Sequence, residues 1–92
     1  MTHLVRDQKK LLNRVSRIRG QLDAIQEGIE AAKDCPSLMH NIAGCRGALD
    51  SLMAEVIESH IRYDVADPRE SPTSKRSRAT EELIDVVRTY LR

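Results

Sequence analysis

No phenylalanine or tryptophan occurs in the 92 residues, and tyrosine is present only at Tyr63 and Tyr90. A core without Phe or Trp must be filled by Leu, Ile, Val, Ala and Met, a palette that interlocks between helices more readily than it builds sheets. Long apolar runs are missing too. None approaches the ~20 residues that a bilayer-spanning helix requires, and the N-terminus has no apolar signal-peptide stretch, so a soluble, cytoplasmic protein is expected. Cysteine is scarce: Cys35 and Cys45 stand apart with no Cys-x-x-Cys, which suits reduced thiols better than a disulfide framework. The chain lacks a Gly-rich phosphate loop and a recognisable nucleophile–base set, and a domain this small encloses little pocket, so an enzyme is not expected. A large excess of one charge is also absent, the formal net charge being +1. That argues against a uniformly basic coating protein.

What is present is helical periodicity within one domain, residues 1–92. From Leu11 the apolar positions Leu11, Val15, Ile18, Leu22, Ile25 and Ile29 alternate steps of four and three, a heptad seam that predicts helix 1 over about 4–32. Asp34-Cys35-Pro36 is a stop-and-start signal, because Pro36 suits a first helical turn with Cys35 or Asp34 near the N-cap. Helix 2 is predicted over about 36–64, with the seam Leu38, Ile42, Cys45, Leu49, Leu52 and Val56. Residues 65–78 carry two prolines, several hydroxyl residues and little apolar content, and read as a loop. Thr80, followed by Glu81 and Glu82, is the expected N-cap of a short helix 3 over about 80–91, with Leu83, Ile84, Val87, Tyr90 and Leu91 on one face. The fold class is therefore all-α: two long antiparallel helices plus a short C-terminal helix. A single hairpin leaves one apolar face uncovered, and a second hairpin is its natural cover, giving a dimeric four-helix bundle.

Charge is unevenly spread along this framework. Lys10, Arg14, Arg17 and Gln21 follow helical spacing one residue before the seam positions of helix 1, and Arg6 extends the band. Between Lys9 and Arg19 there is no acid, so the Glu/Lys alternation of an ordinary solvated helix is missing. Such a band can follow DNA, with arginine and glutamine on phosphate oxygens or base edges. No helix-turn-helix fits these two long helices, so contact would use the flat side of a helical assembly.

Four side chains carry ligand chemistry. His60 and Asp64 are an i,i+4 pair able to converge on one ion. Cys35 lies about 25 residues away at the other end of helix 2, roughly 37 Å along the axis, too far to join them within one subunit. In an antiparallel dimer the Cys35 end of one helix meets the His60 end of the other, and a shared site becomes possible. His3 adds an imidazole, and removal of Met1 would leave the Thr2 amine beside it. Nitrogen donors, one thiolate and one carboxylate suit Ni(II), Co(II) or Zn(II), whereas Cu(I) prefers more sulfur. Cys45 falls on the seam and reads as a packing residue. His40 lies off it and reads as exposed.

The run Arg14-Val-Ser-Arg-Ile-Arg-Gly-Gln21, then Cys35, then Ile42-Ala-Gly-Cys-Arg-Gly-Ala48, then Leu52-Met-Ala-Glu-Val-Ile-Glu-Ser-His60 resembles the CsoR/RcnR family of metal- or formaldehyde-responsive transcriptional repressors. The resemblance covers nearly the whole chain and is weakest over 65–78. It implies a homotetramer, a dimer of dimers, that binds operator DNA without effector and releases it when effector binds. It also implies that Arg14 and Arg17, with Lys10, Gln21 and Arg46, belong to the DNA face. The copper branch of the family has a second Cys where this chain has Asp64, which points away from Cu(I). The nickel/cobalt branch has the N-terminal amine, His3, Cys35, His60 and a further His, which Asp64 replaces here. The formaldehyde branch shares Cys35 and His60 and often has a carboxylate at position 64, but typically has proline where this chain has Thr2. The resemblance thus implies a Ni(II)- or Co(II)-responsive repressor of metal efflux or resistance genes. Its alternatives are a formaldehyde-responsive repressor using Cys35 and the N-terminal amine, and, from composition alone, a helical interaction module without a DNA role.

Overall fold

A computed structural model describes residues 5–67 and 69–91; His3 and the Thr2 amine lie outside them. Among the described residues three long α-helices follow one another: α1 (Gln8–Glu30), α2 (Cys35–His60) and α3 (Lys75–Tyr90). Among the described residues there is no strand. The extents, 56 × 25 × 13 Å, make a slab little thicker than the 10–12 Å of one helix with its side chains. Such a slab has two faces and no interior deep enough to bury both.

The helix ends have local causes. Asp7 stands at the N-cap of α1 without capping it, because its carboxylate instead accepts a hydrogen bond from the Ser59 hydroxyl across the hairpin. Val5 and Arg6 are helical too, and Asp7 is a turn between them and the long helix that begins at Gln8. At the other end Ala32 takes a left-handed conformation, φ 52°, and the Lys33 N–H donates to the Gly28 carbonyl at 2.9 Å. This is the closing bond that a glycine usually supplies. Asp34 then caps α2, accepting from the Ser37 N–H at 3.0 Å and the Ser37 hydroxyl at 2.9 Å, with Pro36 in the first turn. The added hydrogen bonds hold the Asp34 carboxyl below the ordinary carboxylate range.

α2 does not stop at His60 but widens into a π turn, Ile61–Val65, closed by the Ala66 N–H on the Ile61 carbonyl at 2.8 Å. The helical path thus ends close to the predicted position, with a broader last turn. The third helix departs more from expectation. It starts at Lys75, not near 80, with Ser74 as its N-cap and the Ser77 N–H donating to the Ser74 hydroxyl at 3.1 Å. Residues 75–79 have no apolar periodicity, yet they contain no breaker, and Lys, Arg and Ala are strong helix formers. Thr80 is not a cap; its hydroxyl donates back to the Arg76 carbonyl inside the helix.

α3 docks on its own hairpin through Ile84, which has no exposed surface, with Val87 and Leu91 half-buried beside it. Leu83 and Tyr90, expected on that face, point outward instead, because an i, i+3, i+7 stripe is all that one supporting helix covers. Two ion pairs flank the contact. Arg62 donates to Glu81 at 2.7 Å, and Arg88 Nε donates to Glu58 at 3.2 Å. These partners hold the Glu58 carboxyl below its ordinary range, Arg88 being the larger cause.

The hairpin core is thin. Ile18, Cys45, Ala54 and Ile61 are buried, with Leu11, Val15, Ile25, Leu38, Leu52 and Val56 half-buried. The other seam residues remain open, from 46% exposed at Ile42 to 61% at Ile29, with Leu22 and Leu49 between. The partner helix thus covers the heptad seam only in part. Gly28 is buried where a Cβ would meet Lys33 and Leu38 in ordinary contact, whereas Gly20, Gly44 and Gly47 face open space within the protomer.

Candidate effector and nucleic-acid sites

The ligand residues fall at two ends of one helix. Cys35 is the first residue of α2 and is exposed, its Sγ 3.5 Å from Met39 Sδ. His60 is the last, and its Nδ1 lies 3.3 Å from Asp64 Oδ2 on the π turn. An Nδ1–H tautomer donates to that carboxylate and turns the Nε2 lone pair into the ligating donor, the carboxylate–histidine arrangement common at metal sites. With the other tautomer, both side chains offer a donor atom to the same ion. The pair suits one half of a site for a borderline divalent metal. Among the described residues, no group of three or more His, Cys, Asp or Glu side chains is gathered to hold one.

The N-terminal approach to this pair is built from two contacts. Arg6 stacks over the Tyr63 ring at 4.4 Å from the centroid, and Asp7 bonds Ser59, which is buried. Tyr63 and Ser59 both neighbour the His60–Asp64 pair in sequence. The start of the described chain is thus fixed at the same end of the hairpin as the imidazole and carboxylate.

The basic band lies on α1. Arg6, Lys9, Lys10, Asn13, Arg14 and Arg17 line one open depression together with Asp7, and Arg14, Arg17 and Gln21 share a second with Ile18 and Ala48. Arg46 is exposed on α2 and lines neither. Sequence reasoning found the band free of acids, but the fold supplies one from the facing helix: Glu55 of α2 pairs with Lys10 at 2.9 Å and with Arg14. Glu58, Ser59, Arg62 and Arg88, also passed over, form the adjoining polar cleft with Asp7. The signal that could have found Glu55 is the antiparallel register about the turn at 31–34, which sets residues 10–14 opposite residues near 55.

Cys45 is buried and His40 exposed, and no helix among the described residues is long and apolar enough to cross a membrane.

Residues 7–89 match the family model of the metal-sensitive transcriptional repressors. The chain belongs to that family. Across the full length of both chains it is 41% identical to a protein of Serratia marcescens encoded in the bioA 5′ region, and 33% identical to the transcriptional repressor RcnR of Citrobacter koseri. Among solved structures it is similar to a single-substitution variant of the formaldehyde-responsive regulator FrmR of Salmonella enterica serovar Typhimurium. That match has a TM-score of 0.65 and 33% identity, and covers 92% of this chain and 94% of the other. Members of this repressor family are transcriptional regulators and not enzymes, and the helical architecture above is that of the FrmR relative.

Proposed function

We propose that this repressor binds operator DNA through Lys10, Arg14, Arg17, Gln21 and Arg46 when free of effector, and releases it when Ni(II) or Co(II) is bound. The regulated genes would serve metal efflux or resistance. The observation that carries the reading is the His60–Asp64 pair at one end of α2, with the exposed Cys35 thiol at the other. In an antiparallel pair of hairpins, Cys35 of one copy joins His60 and Asp64 of its partner, and His3 and the Thr2 amine complete the donor set. The half-open apolar seam favours that pairing, and two such dimers make the tetramer. Zn(II) is compatible with the same donors; Cu(I) is not favoured by a single thiolate.

A bound divalent ion supplies the charge that draws these donors together. Cys35 would hold the ion as thiolate and His60 as imidazole, while Asp64 would either ligate or fix the imidazole tautomer. The ends of two hairpins are thereby tied to one geometry. If that geometry fits DNA less well than the untied one, metal and DNA oppose each other by the same factor in both directions. Titrating metals into protein held on DNA from upstream of its own coding sequence tests this: Ni(II) or Co(II) should release the DNA. A complex left intact by Ni(II), Co(II) and Zn(II) alike contradicts it.

The exposed Cys35 thiol favours a second reading, in which formaldehyde bridges that sulfur and the Thr2 amine as a methylene group with loss of water. Intact-mass measurement after formaldehyde treatment would show the bridge in the native chain and not in Cys35→Ala.

A further inference from the structure

Glu55 sits on α2 between buried Ala54 and half-buried Val56, and its side chain is 17% exposed. Its Oε1 pairs with Lys10 Nζ at 2.9 Å, and its Oε2, shut off from solvent and accepting no hydrogen bond, lies against Arg14 Nε as an ion pair. The choice of nitrogen matters. A guanidinium has five N–H donors in a rigid fork, and a carboxylate at Nε leaves the outer edge, the two terminal amines, for another acceptor. Arg14 lines both depressions of the basic band, with Lys10 and Arg17 in one and Arg17 and Gln21 in the other.

We propose that Glu55 is a positioning residue of the DNA face: it fixes Lys10 and Arg14 so that the outer edge of the Arg14 guanidinium meets a DNA phosphate. The proposal rests on the DNA-binding reading above. A free arginine must lose rotamer freedom when it binds a phosphate bidentately, whereas one already drawn to a buried carboxylate has given up part of that freedom beforehand. The opposite role would be a competing anion that masks the two cations until DNA displaces it. The burial of Glu55 argues against that. Were Lys10 and Arg14 to leave it, a carboxylate with one solvent-excluded oxygen would stand unpaired close to phosphates of its own sign, at a cost in both desolvation and repulsion. The contact is therefore kept in the DNA complex.

The two roles predict opposite results. Effector-free full-length protein is measured by fluorescence anisotropy on a duplex from upstream of its own coding sequence and on a shuffled duplex of equal length. Loss of one negative charge acting alone would tighten both. Loss of positioning in Glu55→Ala should weaken the upstream duplex by about tenfold while the shuffled duplex holds or tightens, so that the ratio between them falls. Glu55→Gln keeps the shape and an oxygen beside Arg14 without the charge and should retain part of the ratio; it also reports if Glu55→Ala fails to fold by thermal melting. In the Glu55→Ala, Arg14→Ala pair the loss should fall short of the sum of the two single losses. Tightening of both duplexes with the ratio preserved, or additive losses in the pair, overturns the positioning role. If Arg14→Ala leaves the upstream duplex unaffected, the DNA-face reading itself falls, and this inference with it.

Discussion

The two ends of the α1–α2 hairpin are held by different forces. At the end where α1 starts, polar contacts and a docked third helix brace the structure from within: Asp7 on Ser59, Arg6 on Tyr63, Glu55 between Lys10 and Arg14, Glu58 on Arg88, and Ile84 of α3 sealed against the hairpin. At the turn end there is a cap, a left-handed alanine and a row of uncovered apolar side chains, Leu22, Ile29, Met39 and Ile42. Both ends leave apolar side chains uncovered, Val5, Leu12, Met53 and Val65 at the first and these four at the second, but only the first is braced by a docked helix and by ion pairs across the hairpin. Each also carries half of the proposed effector site, so an incomplete surface and an incomplete donor set would be completed by the same contact.

Changes that break this contrast should rank by what each end relies on. Ile42→Asp places a charge in the uncovered stripe and should abolish assembly, seen as monomer by sedimentation velocity, with binding to upstream DNA lost; retained assembly would show that the stripe is not the interface. Ile84→Ala acts at the end braced by α3. It should cost about 2–4 kcal/mol in denaturant unfolding, as expected for a truncated side chain with no exposed surface, while the native protein still assembles. Ala32→Gly relieves an alanine held at positive φ and should stabilise by about 1 kcal/mol.

The smallest effect is that of pH. The Glu58 carboxyl is held below its ordinary value of 4.5 by Arg88 and Arg62. Its contribution is therefore fully present above that value and is lost as pH falls through the lower, folded-state value. Thermal melts should show the α3 end loosening under acid, and Glu58→Gln should flatten that dependence.

How much of this was written in the sequence differs between the same two ends. The heptad steps from Leu11 to Ile29 and from Leu38 to Val56 declare the hairpin, and Asp34-Cys35-Pro36 declares its turn, because cap and proline act through neighbouring residues. The start of α3 was hidden, since Lys75 to Ala79 are helical by propensity without an apolar stripe. The π turn at Ile61–Val65 has no sequence signal that we can identify. His60 and Asp64 were legible as an i,i+4 pair. Glu55 was not, because its meaning lies in the cations that the antiparallel register sets against it, and charges were read along each helix instead of across the pair.

The central claim, that the two ends of neighbouring copies complete one another, is tested most directly by mixing subunits. Cys35→Ala and His60→Ala proteins are each loaded with Co(II), then unfolded together in equal amounts and refolded, and the thiolate-to-Co(II) absorption is recorded. In an antiparallel dimer with random pairing, half of the dimers are mixed and each has one intact site of two, so the mixture should regain about a quarter of the native signal that neither variant gives alone. A mixture with no more signal than its separate components would contradict the shared site.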